Sequence, residues 1–454
     1  MTQAKTFLGT EPIGKLLRQL AVPTVIAQLV NMLYNIVDRI YIGHIPGNGD
    51  LALTGVGVCL PLILIVSAFA ALVASGGAPR ASIYMGKQDH ATAEKILGGC
   101  FALQLIVSAV LTAVLLLWNR PLLLTFGASG NTIDYAAAYM SVYAIGTVFV
   151  QLTLGMNAFI TAQGFAQIGM RTVLIGAVAN IVLDPLLIFG LFGLPVLGIA
   201  GAAIATVAGQ IVAAAIVWRG GYRRSPEWAL YPALVRRVYR LGIPNILMQS
   251  AYTFYILGLN LILSTFSDQS VTALGLYYKW QTFFFIPLGA MQTCIVPVIS
   301  FNYAARKPER CKSTMKVSAL FGMGMMFLGA LVFEFFPVQM VRVFTPDPQV
   351  AEIARVGFRF VGVSFLPQVL ALLFPVFFQA IGFGLKSSLL TIIRTVVLFV
   401  PLGFLFSRFG LNWFWLTFPV TELVTAGVGG VFYRQFLSMT YEQSLHRSAP
   451  TAVK

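Results

Sequence analysis

Long apolar runs recur along the whole chain and are separated by short segments rich in proline, glycine or charged residues. Each run has the twenty or so residues that a helix needs to cross about 30 Å of hydrocarbon. Lipid offers the backbone no hydrogen-bonding partners, so runs of this length and apolarity predict helices and not barrel strands. The predicted spans are 16–42, 52–79, 96–118, 133–160, 172–193, 196–218, 241–265, 272–300, 316–336, 350–378, 387–406 and 412–433. We therefore predict an all-α polytopic membrane protein with twelve transmembrane helices.

The composition agrees with this fold class and excludes an ordinary soluble domain. Hydrophobic residues make up 58% of the chain and charged residues 10%, whereas soluble domains carry about 25% charged residues. The net charge of +15 raises the question of a nucleic-acid partner. Most Lys and Arg residues, however, fall in loops on one side of the predicted membrane, as in the basic segment 219–240. This positive-inside bias predicts a plasma membrane protein with both termini in the cytoplasm and no nucleic-acid partner.

The two halves of the chain repeat each other. Pro23 and Gln28 near the start have counterparts in Pro244 and Gln249. Further matches join Phe126, Ala136, Phe159, Ala162 and Gly164 to Phe344, Ala354, Phe377, Ala380 and Gly382. Because six helices return the chain to the same side, we expect a parallel pseudo-twofold repeat, as in transporters that rock two lobes about a central site. The predicted domains are an N-terminal lobe over 1–220, a basic cytoplasmic linker over 221–240, a C-terminal lobe over 241–437 and a cytoplasmic tail over 438–454.

Two acidic residues of the first half lie inside predicted spans and have no acidic counterpart at the matching positions of the second half. Asp38 is near the outer end of the first helix, and Asp184 is in the fifth. Their counterparts in the second half are apolar: Leu259 for Asp38, and Leu402 or Val400 for Asp184, depending on the alignment. A carboxylate at mid-bilayer costs roughly 2.5–3.5 kcal/mol, so an acid in such a place usually has a function. The two acids therefore mark the candidate site.

Helical phase and depth bring other polar side chains towards these acids. At 100° and 1.5 Å per residue, the common faces hold Asn31, Tyr34, Asn35 and Asp38 in helix 1, Tyr139, Tyr143 and Asn157 in helix 4, Asn180 and Asp184 in helix 5, and Thr206 and Gln210 in helix 6. We expect the acids, Thr206 and a tyrosine to meet in the outer half of the membrane, where a desolvated carboxylate could hold a proton or sodium. Alternatively, Asp38 only pairs with a neighbour or lies among the outer headgroups.

With these residues in view, the sequence resembles a known family, the multidrug and toxic compound extrusion (MATE) transporters. The similarity rests on YNIVDRIYIG in helix 1, RASIYMGKQDHATAEKILG after helix 2, NAFITAQGFAQIGMRTVLIGAVANIVLDPLLIFG across helices 4 and 5, and GIAGAAIAT in helix 6. In the second half it rests on PVISFNYAARKPER and FFQAIGFGLKSSLLTIIRTVVLFVPLGFLF. These stretches span nearly the whole chain and are specific in combination.

The resemblance implies a V-shaped pair of six-helix bundles that exports amphipathic, often cationic, compounds in exchange for protons or sodium. It also implies a cation site in the first lobe, whose matching residues here are Asp38, Asn180, Asp184 and Thr206, with Tyr139 as the expected tyrosine. The supporting polar residues are Asn31, Tyr34, Asn35, Tyr143 and Asn157. One branch of the family binds sodium through acids in helices 7 and 10. Segments 241–263 and 357–378 contain no Asp or Glu, so we favour proton coupling over sodium.

A substrate cavity is expected to include Lys279, Gln281, Phe283 and Arg394. Lys279 and Arg394 lie within predicted spans and could bind an anionic part of a substrate. Equally, the two basic residues could be counter-ions to Glu334 or Glu422. For Arg394 we favour the structural role, and for Lys279 both alternatives stay open.

Other classes of function are weighed against an antiporter. The glycine-rich string at 55–58 lacks the Lys-Ser/Thr ending of a phosphate loop, so the energy would come from an ion gradient. The three histidines, His44, His90 and His446, fall outside the spans, which argues against an enzyme. The main alternative is a flippase for a lipid-linked oligosaccharide or peptidoglycan precursor, which we expect to need a strongly basic cavity. We predict a monomeric antiporter for amphipathic, cationic small molecules, embedded in the lipid bilayer and without metal or cofactor.

Overall fold

A computed structural model describes residues 7–220 and 232–438. Those residues form helices and loops, with no β-strand among them. The long helices are α1 (Ile13–Gly43), α2 (Gly49–Gly86), α3 (His90–Leu117), α4 (Ile133–Ala162), α5 (Ala166–Ile188), α6 (Ile199–Gly220), α7 (Pro232–Ser264), α8 (Asp268–Phe284 with Ile286–Ala304), α9 (Pro308–Phe335), α10 (Pro348–Ala380), α11 (Gly384–Ser407) and α12 (Thr417–Ser438). Each helix overlaps one predicted span. The prediction of a twelve-helix, all-α membrane protein is confirmed.

Two of these helices depart from regular α geometry in ways that hydropathy did not predict. α8 is bent by 51° where its two parts meet at Phe285. Pro287, the second residue of the second part, has no N–H to donate and its ring crowds the preceding turn, which explains the break. α11 contains a π-helical stretch at Ile393–Phe399, just before Pro401. Short π-helical stretches are frequent at functional sites, and this one carries the buried Arg394.

The described helices form two compact units. Unit 1 comprises residues 22–220 and 232–242, and unit 2 comprises residues 7–21 and 243–438. The first residues belong to unit 2 because its side chains bind their backbone carbonyls: Asn302 Nδ2 donates to Leu8 at 2.9 Å, Lys307 Nζ to Gly9 at 2.8 Å and Arg310 Nη2 to Glu11 at 2.7 Å. The greater part of the predicted linker, 221–231, and the tail beyond residue 438 lie outside the described residues.

The sequence repeat reappears as equivalent backbone details within each unit. In unit 1 the Ser82 hydroxyl donates to the carbonyl of Ala162 at 3.2 Å, and in unit 2 Ser300 donates to Ala380 at 2.7 Å. Ala162 ends α4 and Ala380 ends α10, and each is followed two residues later by a glycine with positive φ, Gly164 at 93° and Gly382 at 86°. Only glycine adopts such angles without strain. The repeated glycine therefore allows the same turn after α4 and after α10.

The loop between α2 and α3 is held by a helix cap. The backbone N–H of Thr92 donates to Asp89 Oδ1 at 3.0 Å, which satisfies one of the free donors in the first turn of α3. The hydrogen bonds from the Thr92 side chain and backbone favour the charged carboxylate and hold the pKa of Asp89 below its usual value. This cap fixes where α3 begins.

Candidate functional site

Unit 1 brings the two intramembrane acids together. Asp38 on α1 is 8% exposed and Asp184 on α5 is fully buried. Their carboxyl groups lie within hydrogen-bonding range of each other. Two carboxylates at this separation repel strongly when both are charged, so a proton or another cation between them is required for stability. The pair is therefore able to take up and release a positive charge.

Asn180 connects this pair to α6. It precedes Asp184 by one helical turn, and its amide nitrogen lies 3.4 Å from Asp184 Oδ1 and 3.3 Å from Thr206 Oγ1. With the amide turned over, the nitrogen donates to Asp184 Oδ2 at 3.3 Å and the oxygen accepts from the backbone N–H of Thr206 at 3.2 Å. The second orientation satisfies both ends of the amide. In either one, Asn180 holds Asp184 in place against α6.

Tyrosines complete the polar group around the acids. The Tyr139 hydroxyl lies near Thr206 and within reach of the charge of Asp38. Tyr143 stacks on Tyr139 with ring centroids 6.4 Å apart, and both rings are buried. Tyr34 on α1 lies near enough to Asp38 and Asp184 for their charges to act on it. Of the two tyrosines on α4, Tyr139 is the one that lies near Thr206 and Asp38.

A close approach of α5 and α6 makes the Asn180 contact with Thr206 possible. Gly176 and Gly209 face each other, and a Cβ atom added to Gly209 would lie 2.7 Å from the Gly176 carbonyl oxygen. Small residues allow such approach between membrane helices. Gly209 was not among the predicted site residues, although its small-residue neighbourhood GIAGAAIATVAG was a signal that could have revealed it.

We expect the substitution Gly209→Ala to push α5 and α6 apart and to reduce both transport and thermal stability. Overpacking of this kind typically costs about 1–3 kcal/mol. The matched control is Gly57→Ala on α2, where an added Cβ meets no atom within 4 Å. The melting temperature in detergent and the transport rate in liposomes measure the effect. Equal behaviour of the two variants would contradict this role for Gly209.

The part of the chain that the structure describes offers the pair no basic counter-ion. Among the described residues, no Lys or Arg nitrogen lies within ion-pair distance of Asp38 or Asp184. Arg39, the next residue along α1, is exposed, and its charge acts on Asp38 without forming an ion pair. In a buried site, a carboxylate without a partner is costly. The alternative that Asp38 only pairs with a basic neighbour therefore finds no partner in the described chain.

Of the three asparagines proposed as supporting residues, Asn31 and Asn35 bind each other and Asn157 lies far from the acids. The Asn35 amide donates to the carbonyl of Asn31 at 2.6 Å, and both side chains are exposed. The Asn157 amide oxygen would lie 2.8 Å from a Cβ atom on Gly169. Gly169 precedes Asp184 by fifteen residues, which is roughly 22 Å of helix. Asn157 thus lies towards the other end of α5.

The four residues expected in a substrate cavity belong to unit 2 and differ in exposure. Lys279 and Phe283 are exposed, and the Lys279 ammonium lies 5.0 Å from the centre of the Phe344 ring. Gln281 is buried and accepts a hydrogen bond from the Tyr252 hydroxyl at 3.3 Å. Glu334 is bound by Arg359, with Nε 3.6 Å from Oε1, so Lys279 is not its counter-ion in this structure.

Arg394 forms a buried ion pair with Glu422. Its Nε lies 2.9 Å from Oε2 and its Nη2 lies 2.5 Å from Oε1. Arg394 is 5% exposed and Glu422 is 1% exposed. The guanidinium also lies 5.2 Å from the centre of the Phe399 ring, five residues on, a spacing that the π-helical stretch places on one face. The expectation that Arg394 is a counter-ion to Glu422 agrees with this geometry.

Comparison with known proteins identifies a family to which the chain is similar over most of its length. The MatE family profile matches residues 23–186 and 244–405. The multidrug export protein MepA of Staphylococcus haemolyticus is 25% identical over 425 residues, covering 91% of this chain and 92% of that protein. A FAD transporter of Shewanella oneidensis is 25% identical over 428 residues, covering 92% of this chain and 93% of that protein. Relatives at the same level of identity thus carry different substrates.

The fold has close counterparts among solved structures. A crystal structure of a MATE transporter in the bent conformation superposes with a TM-score of 0.87 and 22% identity, covering 99% of this chain and 100% of that chain. At this identity the likeness establishes the fold, and the matched profile establishes the family. The chain is a member of the MATE family, and so a multi-pass transporter of small molecules in the cell membrane and not an enzyme.

Proposed function

We propose that this transporter exports amphipathic, cationic compounds across the cytoplasmic membrane in exchange for protons. The observation that carries the proposal is the buried contact between Asp38 and Asp184, for which residues 7–220 and 232–438 provide no basic counter-ion. Such a pair can hold one proton in a shared hydrogen bond and release it when the surroundings admit water. Asp38 and Asp184 are the proton-binding groups, and Asn180, Thr206 and Tyr139 orient them.

Protonation couples to transport through the charge of the pair. With both carboxylates ionised, their repulsion favours separation of α1 from α5, whereas one proton turns the repulsion into a hydrogen bond. A ligand shifts a conformational equilibrium only by its differential affinity for the two states. The proton therefore favours the state in which the two acids touch, and an organic cation favours the state in which they are charged and apart.

A proton fits this site better than sodium. The carboxyl oxygens lie within hydrogen-bonding range, which is the distance expected when the two groups share a proton. Hard cations in proteins collect several oxygen ligands. The site offers two carboxylates, and no third His, Cys, Asp or Glu side chain among the described residues joins them. In unit 2, the stretch of α10 from residue 357 to 378 also contains no acid.

The substrate class is supported by the name of one relative and by the basic residues of unit 2. The relative MepA is described as a multidrug export protein. A lipid-linked sugar precursor would require an accessible basic cavity, and the charge of Arg394 is already neutralised by Glu422. A flavin nucleotide is a further candidate because the Shewanella relative is described as a FAD transporter.

The test is transport by the purified protein in liposomes. The pH gradient is imposed without sodium and is acidic on the side to which the substrate is exported. It is expected to drive a fluorescent organic cation such as ethidium against its own gradient. FAD and a lipid-linked sugar precursor serve as comparison substrates in the same assay. Strict dependence on sodium would reverse the choice of ion, and movement of FAD or the precursor without ethidium would reverse the choice of substrate.

A further inference from the structure

Polar side chains continue from the acid pair along α4 and α6. Gln210 follows Thr206 by one turn of α6, and the Thr153 hydroxyl of α4 donates to the Gln210 backbone carbonyl at 3.4 Å. Asn157 follows Thr153 by one turn, and its own carbonyl accepts from the Thr161 hydroxyl at 3.1 Å. We call Thr206, Gln210, Thr153 and Asn157 the polar track. It leads within unit 1 from the acid pair towards the cytoplasmic ends of α4 and α6.

The amide oxygens of this track are buried without partners. Gln210 Oε1 and Asn157 Oδ1 have no hydrogen-bond donor within the described chain, and neither does Asp38 Oδ1 at the head of the track. A buried acceptor left unpaired costs about 1–3 kcal/mol, and proteins usually meet this cost with an internal water molecule. Gln210 and Asn157 follow Thr206 and Thr153 by one helical turn each, so their unpaired oxygens lie beyond the acid pair along α6 and α4.

Two other buried amides in unit 1, Gln151 and Gln104, also have an unpaired side-chain oxygen, but their nitrogens bind backbone carbonyls of α2. Gln151 Nε2 donates to the Val66 carbonyl at 2.7 Å, and Gln104 Nε2 donates to the Ala70 carbonyl at 3.4 Å. Both therefore fasten α2 to its neighbours and act in packing. Gln151 is only two residues from Thr153 but lies about 200° around α4. It provides a buried glutamine on the same helix and off the track.

We propose that the polar track conducts the coupling proton from the Asp38–Asp184 pair to the cytoplasm, an inference that rests on the proton-coupled function proposed above. The O–H bond of the protonated carboxyl breaks, and the proton passes to a water molecule that donates a hydrogen bond to Gln210 Oε1. A second water at Asn157 Oδ1 accepts it and delivers it to bulk water. The amides do not ionise; they hold the waters in line. The carboxylate pair regains its negative charge.

The dimensions of the track suit such a relay. Thr206 to Gln210 and Thr153 to Asn157 each span four residues, or about 6 Å of helix, which is the reach of one or two water molecules. From Asn157 to the end of α4 at Ala162 is a further five residues, about 7.5 Å. Asn157 is distant from the acid pair, and its role in this proposal is to hold the last water before the proton reaches bulk solvent.

The test compares Gln210→Leu and Asn157→Leu with the control Gln151→Leu in liposomes that contain a pH-sensitive dye. In the two track variants we expect ethidium-coupled proton release to slow by about tenfold or more and to become more sensitive to replacement of H₂O by D₂O. Equilibrium binding of ethidium at fixed pH is expected to stay unchanged. The control is expected to release protons at the wild-type rate. Asn157→Ser, which keeps an oxygen at this position, is expected to restore much of the rate.

The outcomes separate this proposal from the function on which it rests. Wild-type proton release in all track variants, or an equal loss in Gln151→Leu, would overturn the track while leaving proton coupling intact. Absence of proton-driven ethidium transport by the wild-type protein would overturn both. If a leucine variant does not fold, as judged by its melting temperature, the serine variant and its isotope effect decide the result.

Discussion

Asp38→Asn and Asp184→Asn are each expected to abolish proton-driven transport while leaving membrane expression and folding close to normal. Asn has the size of Asp but carries no titratable group, so the pair can no longer bind and release a proton. Because each variant removes one of two like charges from a buried site, we expect no loss of stability from the change in charge. Drug resistance of a sensitive host and ethidium exchange in liposomes measure the effect.

The control for this prediction is Asp134→Asn. Asp134 is an exposed carboxylate at the start of α4, and its Oδ1 lies 2.6 Å from Arg120 Nη2. Exposed ion pairs of this kind contribute about 0–1 kcal/mol, so this variant is expected to transport at the wild-type rate. If Asp38→Asn retains full resistance with normal expression, Asp38 has no part in coupling.

The second large effect is expected in unit 2. Arg394→Leu leaves the Glu422 carboxylate buried without its partner, and the loss of one member of a buried pair costs roughly 3–5 kcal/mol. We expect a large fall in the melting temperature of the protein in detergent. Because Arg394 and Glu422 are bound to each other through three hydrogen bonds, the fall would occur even if neither residue touches a substrate.

A double variant and an exposed pair provide the controls. In Arg394→Met with Glu422→Leu both charges are removed, and stability is expected to return most of the way to the wild-type value, since apolar replacements of a buried pair are often neutral. Arg355→Leu breaks an exposed pair in which Nη2 lies 2.6 Å from Glu352 Oε1, and it is expected to have little effect. Little loss in Arg394→Leu would show that Glu422 finds another partner or a proton.

The site was only partly predictable from helical phase. Asn180 and Asp184 lie on one helix, so their common face followed from their spacing of four residues. Asn157 shares a face of α4 with Tyr139 and Tyr143 in the same way, yet it lies against Gly169 and away from the acids. Phase gives the direction of a side chain, but it does not give the shift of one helix along another, which depends on close contacts such as that of Gly176 with Gly209.

The ion pairs, like the site, were only partly predictable from the sequence. Arg394 had two acids within reach in the sequence-based interpretation, Glu334 and Glu422. The structure pairs it with Glu422 and pairs Glu334 with Arg359. The choice depends on the packing of α11 against α12 and on the π-helical turn that directs Arg394, and hydropathy contains no information about either.

The sequence by itself determined that the chain crosses the membrane as twelve helices in two repeated halves. A backbone in lipid must satisfy its own hydrogen bonds, so each long apolar run forms a helix. It also showed that Asp38 and Asp184 have apolar counterparts in the second half. Tertiary structure alone decided that Asp38 and Asp184 touch, that Asn157 does not join them, and where α8 breaks. These features arise from the sliding and approach of whole helices, which side-chain packing decides between residues far apart in the chain.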